Sequence, residues 1–251
     1  MPENQKLNFL PALQEGTLTV EGEFMWGSNY TFLTQVAYKE STFPAVYKPT
    51  RGTRPLWDFP PDSLPSREVA AFIVSKALGW DFVPPTTFRT DGPFGPGSLQ
   101  LFIEHDPEYH YFNFKDQDRQ RLRPVALFDI LVNNADRKGS HILVDSEDHL
   151  WLIDHGVCFH TEEKLRTVIW DFAGETISDD MLRTMQRFRD LLTLNGMDQS
   201  TAGSSYLVAE LSAHLNASEI IAITNRIDTL LYKSKFPDPN PDRRHYPWPA
   251  V

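Results

Sequence analysis

The chain has 251 residues, with 34 Asp and Glu against 24 Lys and Arg, a formal net charge of −10 at pH 7. An acidic chain without a long basic cluster is a poor fit to nucleic acid, whose binding rests on cationic side chains displacing counterions, and equally to an anionic lipid surface. No run of about 18 apolar residues offers a membrane span, residues 1–16 lack the pattern of a secretory signal, and the single cysteine, Cys158, excludes an intramolecular disulfide, so the expected setting is the cytoplasm.

The first hundred residues predict a sheet. Residues 16–22 (GTLTVEG) and 31–38 (TFLTQVAY) are rich in Thr, Val, Phe and Tyr, and 45–49 (AVYKP) begins as a short strand that Pro49 ends. Residues 51–66 carry too many prolines for a regular element and deliver the chain to Ser66, the expected N-cap of a helix. In that helix Val69, Phe72, Ile73 and Ala77 form an apolar stripe, and Gly79 marks its stop. Residues 83–89 and 98–105 predict two more strands. Trp57, Phe59 and Trp170 are expected to be packing anchors.

From about Asp116 the pattern turns helical. Val125, Phe128, Leu131 and Val132 lie on one helical face, with Pro124 at the start or at a kink. Residues 181–194, 206–215 and 219–232 carry i, i+3, i+4 apolar stripes, and Asn216 with Glu219 has the spacing of a capping box. Between these helices sits one strand-like pair, 141–145 and 149–156. Residues 236–251 are too rich in proline to extend a helix. They are expected to fold back on the body, because Phe236, Tyr246 and Trp248 are costly to leave in water.

The most informative stretch is 133–159, NNADRKGSHILVDSEDHLWLIDHGVCF, in which a helix ends, a polar loop follows, and a hairpin leads into Asp154. An apolar strand running into a carboxylate is costly to bury unless a cation or hydrogen-bond donors compensate. The order of Asp136, a polar residue five positions on (His141) and an Asp-x-Gly at Asp154 resembles the catalytic core of protein-kinase-like enzymes. The DR opening of the loop is similar to the atypical branch containing phosphoinositide 3/4-kinases and HipA-type kinases.

That resemblance implies an α+β, two-lobed protein-kinase-like fold. The N-lobe (8–103) would be an antiparallel sheet plus one helix, the C-lobe (104–235) mainly helical, and 236–251 a proline-rich tail. It implies ATP, and Mg²⁺ or Mn²⁺, in the cleft, with transfer to a hydroxyl of an unidentified protein or small molecule. Asp136 would then accept or orient the acceptor proton, Lys48 would hold phosphates while paired with Glu68, and Asp154 with His141 would hold the metal. Gly27, Ser28 and Asn29, in a turn that begins near Gly22, would present backbone N–H groups to phosphates. Gln100 and Phe102 would lie at an adenine-facing hinge.

The sequence departs from the pattern at three places. His141 stands where the family usually has Asn, bringing a softer ligand than Mg²⁺ prefers. His155 replaces the usual Phe of the Asp-x-Gly, and the dense glycine loop is missing. His141 is equally compatible with a core histidine and with a metal or phosphate contact. His155, His160 and Cys158 read as structural, and Arg166 as an ion-pair residue with a substrate phosphate as its other possibility. A catalytically silent nucleotide-binding scaffold and an AMP-transferring enzyme are the alternative functions.

Overall fold

The computed structural model describes residues 9–24, 30–193 and 202–251. The first half builds a five-stranded antiparallel sheet from β1 (Thr17–Glu23), β2 (Phe32–Tyr38), β3 (Ser41–Pro49), β4 (Thr86–Arg89) and β5 (Gly97–Leu101), in the order β1-β2-β3-β5-β4. Alternation along β2 and β3 sends Val36, Phe43, Ala45 and Tyr47 to one buried face. A short helix that the sequence pattern did not predict, α1 (Phe9–Glu15), closes that face with Ala12 and Leu13, while the Phe9 ring stands edge-on to Phe43 at 5.0 Å. Seven residues with Pro11 in the first turn are too few to display a helical period. β3 is longer than expected, and it ends at Pro49 as the missing N–H dictates.

Helix α2 (Leu64–Leu78) begins two residues before Ser66; the N-cap is Ser63, because Pro65 is tolerated in a first turn whose N–H groups have no intrahelical partner. Gly79 does end it, in the left-handed conformation at φ 69°. The buried face, however, keeps only Val69 of the predicted stripe. Phe72, Ile73 and Ala77 are only partly buried, whereas Arg67, Glu68, Ala71, Val74, Ser75 and Leu78 are buried. The face is shifted because two charged side chains at its head are claimed by tertiary partners, which an apolar count cannot see.

The second half is mainly helical, with α3 (Asp116–Gln120), α4 (Arg123–Val132), the hairpin of β6 (Ile142–Val144) and β7 (Leu150–Leu152), then α5 (Asp179–Thr193), α6 (Ala202–Ser212) and α7 (Ala217–Lys233). In α4 the predicted face of Val125, Phe128, Leu131 and Val132 is fully buried, each side chain contributing about 1.5–3 kcal/mol. Asn216 and Glu219 form the expected capping box. Ala70, Ala71, Val74 and Leu78 of α2 belong to this helical core rather than to the core of the sheet. Arg67, 1% exposed, completes the tie: it donates to Cys158 O (2.5 Å), pairs with Glu219, and lies over the Phe59 ring. α2 is therefore fastened to the helical half. Together the sheet with its helix and the helical body form the two lobes of a kinase-like fold.

Residues 236–251 do fold back, though not as expected. Phe236 is buried against Phe172, but Tyr246 and Trp248 stay exposed. Beside the buried Pro247, docking runs through the backbone: His245 O accepts from Thr167 N and Trp170 Nε1, and Ala250 O accepts from Gly139 N at 2.8 Å.

Candidate active site

Segments far apart in sequence converge on a cavity of about 650 Å³ lined by β3, β5, α2, the 134–141 loop and the residues after β7. Strand alternation decides the first member. Tyr47 enters the core of the sheet, so Lys48 points the other way, into the cavity. Its ammonium donates to Glu68 Oε1 at 2.5 Å and to Asp154 Oδ1 at 3.1 Å. Burial alone would lower the Lys48 pKa, but the charges of Asp154 and Glu68 outweigh it and hold the group as an ammonium. Glu68 is fixed from both oxygens, because Oε2 accepts the backbone N–H of His155 at 2.8 Å.

Asp154 follows β7 in the left-handed region, φ 62°, a conformation that Asp tolerates better than most residues. The turn brings its half-exposed carboxylate to the cavity, with Oδ2 3.4 Å from His141 Nε2. Lys48 holds the Asp154 carboxyl far below the ordinary range. The His141 pKa is lowered as well, here by burial, to about 4, so the ring is neutral, with Nε2 facing the carboxylate. Its Nδ1 is buried and has no hydrogen-bond partner among the described residues.

Asp136 lies at the other side of the cavity, its N–H donated to Asn134 Oδ1 and its carboxylate 3.4 Å from Lys138 Nζ. Burial, helped by the charge of Asp154, raises its pKa to about 6 against the opposing fields of Lys138 and Arg166. The residue between, Arg137, is fully buried and organises the loop. It forks onto Asp129 at 3.0 and 3.1 Å, donates to Ile153 O at 2.9 Å, and meets His155 Nε2 at 2.7 Å. One side chain thus binds the loop carrying Asp136 to the strand end carrying Asp154.

The structure brings Lys48, Glu68, Asp136, His141 and Asp154 together around one space. Gln100 also lines it, with its amide bonded to Thr86 Oγ1. The N–H of Phe102 already donates to Pro44 O, so what Phe102 offers a base is its ring and carbonyl. Gly27, Ser28 and Asn29 lie outside the described residues, and Gly22 belongs to β1, beside a bulge, rather than to a turn. His155 takes the core place of the missing Phe, edge-on to Phe128.

Sequence reasoning missed Lys138, whose only signal is its place two residues after Asp136. In the loop after β3 the expectation of a packing anchor holds for Phe59, buried against Arg67 and His160, and fails for Trp57. Trp57 is 92% exposed rather than a packing anchor, and Lys164 Nζ sits 5.1 Å from its ring centroid while pairing with Asp58 at 3.1 Å. Arg166 lines the cavity and makes no ion pair among the described residues; its field acts on Asp136.

Residues 62–234 match the family of phosphatidylinositol 3- and 4-kinases, more than half of the chain. The chain belongs to the phosphatidylinositol 3- and 4-kinase family. Protein Rv2133c of Mycobacterium tuberculosis (strain ATCC 25618 / H37Rv) is 37% identical over 273 residues, spanning 95% of this chain and 94% of that protein. Phosphatidylinositol 4-kinase gamma 4 of Oryza sativa subsp. japonica is 34% identical over 122 residues, 41% of this chain and 22% of that one.

Among solved structures, hydra Fam20 with sugar shares the fold at a TM-score of 0.53 and 15% identity, with 90% of this chain and 87% of that chain covered. The Golgi casein kinase with Mn/ADP bound does so at 0.50 and 16%, with 94% and 80% covered. At such identities the likeness is one of fold. It agrees with the family assignment: the matched region begins at α2 and runs through α7, holding four of the five converging residues, while Lys48 reaches them from the sheet.

With Lys48 at the junction of Glu68 and Asp154, Lys48→Ala is expected to shrink the rise in melting temperature produced by ATP with Mn²⁺, since a ligand that binds only the native state stabilises it by mass action. An unchanged nucleotide response in a folded variant removes Lys48 from the site.

Proposed function

We propose that the chain is an ATP- and divalent-cation-dependent phosphotransferase acting on a hydroxyl of a protein or small molecule. The reading rests on one observation above the others: Lys48, Glu68 and Asp154 form a continuous chain of ion pairs across the cavity, with His141 beside Asp154 and Asp136 facing the same space. In this reading residues 8–103 and 104–235 are the two lobes, 236–251 is a strap on the second, and the lone buried Cys158 suits the cytoplasm.

The donor set fits a cation. Asp154 offers a carboxylate with half its surface free, and His141 is held neutral, the form in which an imidazole ligates. Among the described residues no group of three or more His, Cys, Asp or Glu could hold a metal. That suits an ion that takes one or two protein ligands and completes its shell from phosphates and water. Bound there, the ion would neutralise charge on the β- and γ-phosphates.

The remaining work belongs to the chain. Lys48 neutralises phosphate oxygens while Glu68 prevents it from collapsing fully onto Asp154. Gln100 and Phe102 border the space for the base. Asp136, with a pKa raised to about 6, is ionised at neutral pH yet basic enough to take the proton of an acceptor hydroxyl as its oxygen bonds to the γ-phosphorus and the bond from that phosphorus to the departing ADP breaks. Lys138 and Arg166 flank that carboxylate and would steady an anionic group nearby.

Intact-mass analysis after incubation with ATP and either Mg²⁺ or Mn²⁺, alongside ADP release, tests the reading. ADP formation or gain of one phosphoryl group supports it, with Mn²⁺ at least as effective as Mg²⁺ because His141 presents nitrogen to the site. Gain of AMP turns the assignment to nucleotidyl transfer. Nucleotide binding without any turnover turns it to a silent scaffold.

A further inference from the structure

Three backbone segments lie side by side beneath the candidate site. The 134–137 loop exchanges hydrogen bonds with 166–168: Arg166 N donates to Asn134 O, Arg137 N to Arg166 O, and Val168 N to Arg137 O, at 2.8, 2.9 and 3.2 Å. The C-terminal segment supplies the third layer. His245 O accepts from Thr167 N and from Trp170 Nε1, both at 3.1 Å, and the Arg243 guanidinium donates to Glu163 O at 2.9 Å. Four residues beyond Tyr246 the segment reaches the loop itself, where Ala250 O accepts from Gly139 N at 2.8 Å.

That last contact falls at a sensitive place. Gly139 lies between Lys138 and His141, three residues past Asp136, and a Cβ there would meet the Phe112 ring at 2.8 Å. Arg137 anchors the front of this stretch through its buried guanidinium, but the middle is held from outside by the strap. Tyr246 and Trp248 face solvent, so the carbonyls of the segment carry much of its hold, beside the buried Pro247 and the partly buried Ala250 packed against the helical core.

We propose that residues 243–251 are a positioning strap for phosphoryl transfer, in which the Ala250 carbonyl fixes Gly139, and through it Asp136 and Lys138, while the His245 carbonyl fixes Thr167 beside Arg166. Among the described residues the strap makes no hydrogen bond or ion pair to Lys48 or Asp154, and His141, two residues past Gly139, is held separately by its carbonyl, which accepts from Ile153 N and from Arg137, so the strap sets the geometry of the acceptor side. This rests on the phosphotransferase reading. It goes beyond that reading by giving the loop an external support that the catalytic residues do not contain.

The test compares the full chain with a variant ending at Tyr246, which keeps the His245 contacts and lacks Ala250, and with one ending at Asp242, which lacks the whole strap. Three readouts are taken: amide hydrogen exchange at Gly139, calorimetric affinity for ATP with Mn²⁺, and ADP release. In the variant ending at Tyr246, exchange at Gly139 should accelerate and kcat fall by about 10²-fold, the scale of a misplaced reacting group, with ATP affinity within about twofold. The shorter chain should lose at least as much kcat; if it does not fold, the milder truncation still decides.

Unchanged exchange at Gly139, or unchanged kcat, overturns the proposal. Parallel loss of kcat, ATP affinity and melting temperature also overturns it, since that is what a purely structural role gives. If the full chain releases no ADP, the phosphotransferase reading is what fails, and with it any role of the strap in transfer; exchange at Gly139 then reports separately whether the strap holds the loop.

Discussion

Asp154→Asn is expected to lose metal-dependent ATP affinity and turnover together, whereas Asp136→Asn keeps the nucleotide and loses the reaction. Both are carboxylates facing one cavity, but their surroundings push them apart. Asp154 is bonded to Lys48 and lies beside the neutral His141, an arrangement that keeps it ionised at any working pH and suits a cation ligand. Removing its charge removes the anion that would hold the cation against the phosphates. Asp136 sits across the space with its pKa raised to about 6 by burial, as a proton acceptor requires. Its amide variant should bind ATP and Mn²⁺ normally while turnover falls by roughly 10²-fold or more.

The pH profile adds a second readout. A carboxyl with a raised pKa is active only when deprotonated, so the rate should drop as pH falls through about 6, or lower where a bound cation's charge assists ionisation. The residual rate of Asp136→Asn should lack that acid limb. Calorimetry of both variants beside ADP release decides the matter. If Asp136→Asn loses metal-dependent binding and Asp154→Asn keeps it, the two roles are reversed; if neither variant changes binding or turnover, the kinase reading is wrong.

The largest expected effect on stability belongs to Arg137→Met. Arg137 and Asp129 have no exposed side-chain surface at all, and the guanidinium serves two carboxylate contacts, the carbonyls of His141 and Ile153, and the ring of His155. Taking away one partner of a buried pair leaves the other charge uncompensated, at about 3–5 kcal/mol. Urea denaturation should show a loss of that order. Asp129 would retain Asn134 and Thr167 as donors but no cation. Replacing both partners, Arg137→Met with Asp129→Leu, should recover part of the loss, because an apolar pair carries no stranded charge. A single variant that unfolds within about 1 kcal/mol of the parent, on the same scale, would show that the loop is held chiefly by other contacts.

Much of this protein is determined by local chemistry. The strands of the first half follow from β-branched and aromatic runs, the end of α2 from Gly79, the buried face of α4 from its 3.6-residue period, and the start of α7 from the reciprocal bonds of Asn216 and Glu219. These depend on neighbours within a few residues, which a sequence displays directly. Asp136, His141 and Asp154 were legible for a related reason, since a loop and a hairpin fix their spacing within one short stretch.

What only the tertiary structure decided involves partners far apart in the chain. The face that α2 buries is set by Arg67 meeting Glu219 and Glu68 meeting Lys48, charges whose burial is affordable only once a counter-charge from elsewhere arrives. Trp57 reads as a core residue by type yet lies at the mouth of the cavity, because its loop is held by other contacts, including the Lys164–Asp58 pair. The hold of Ala250 on Gly139 uses a carbonyl and an amide, groups that every residue carries and that no side-chain pattern reports.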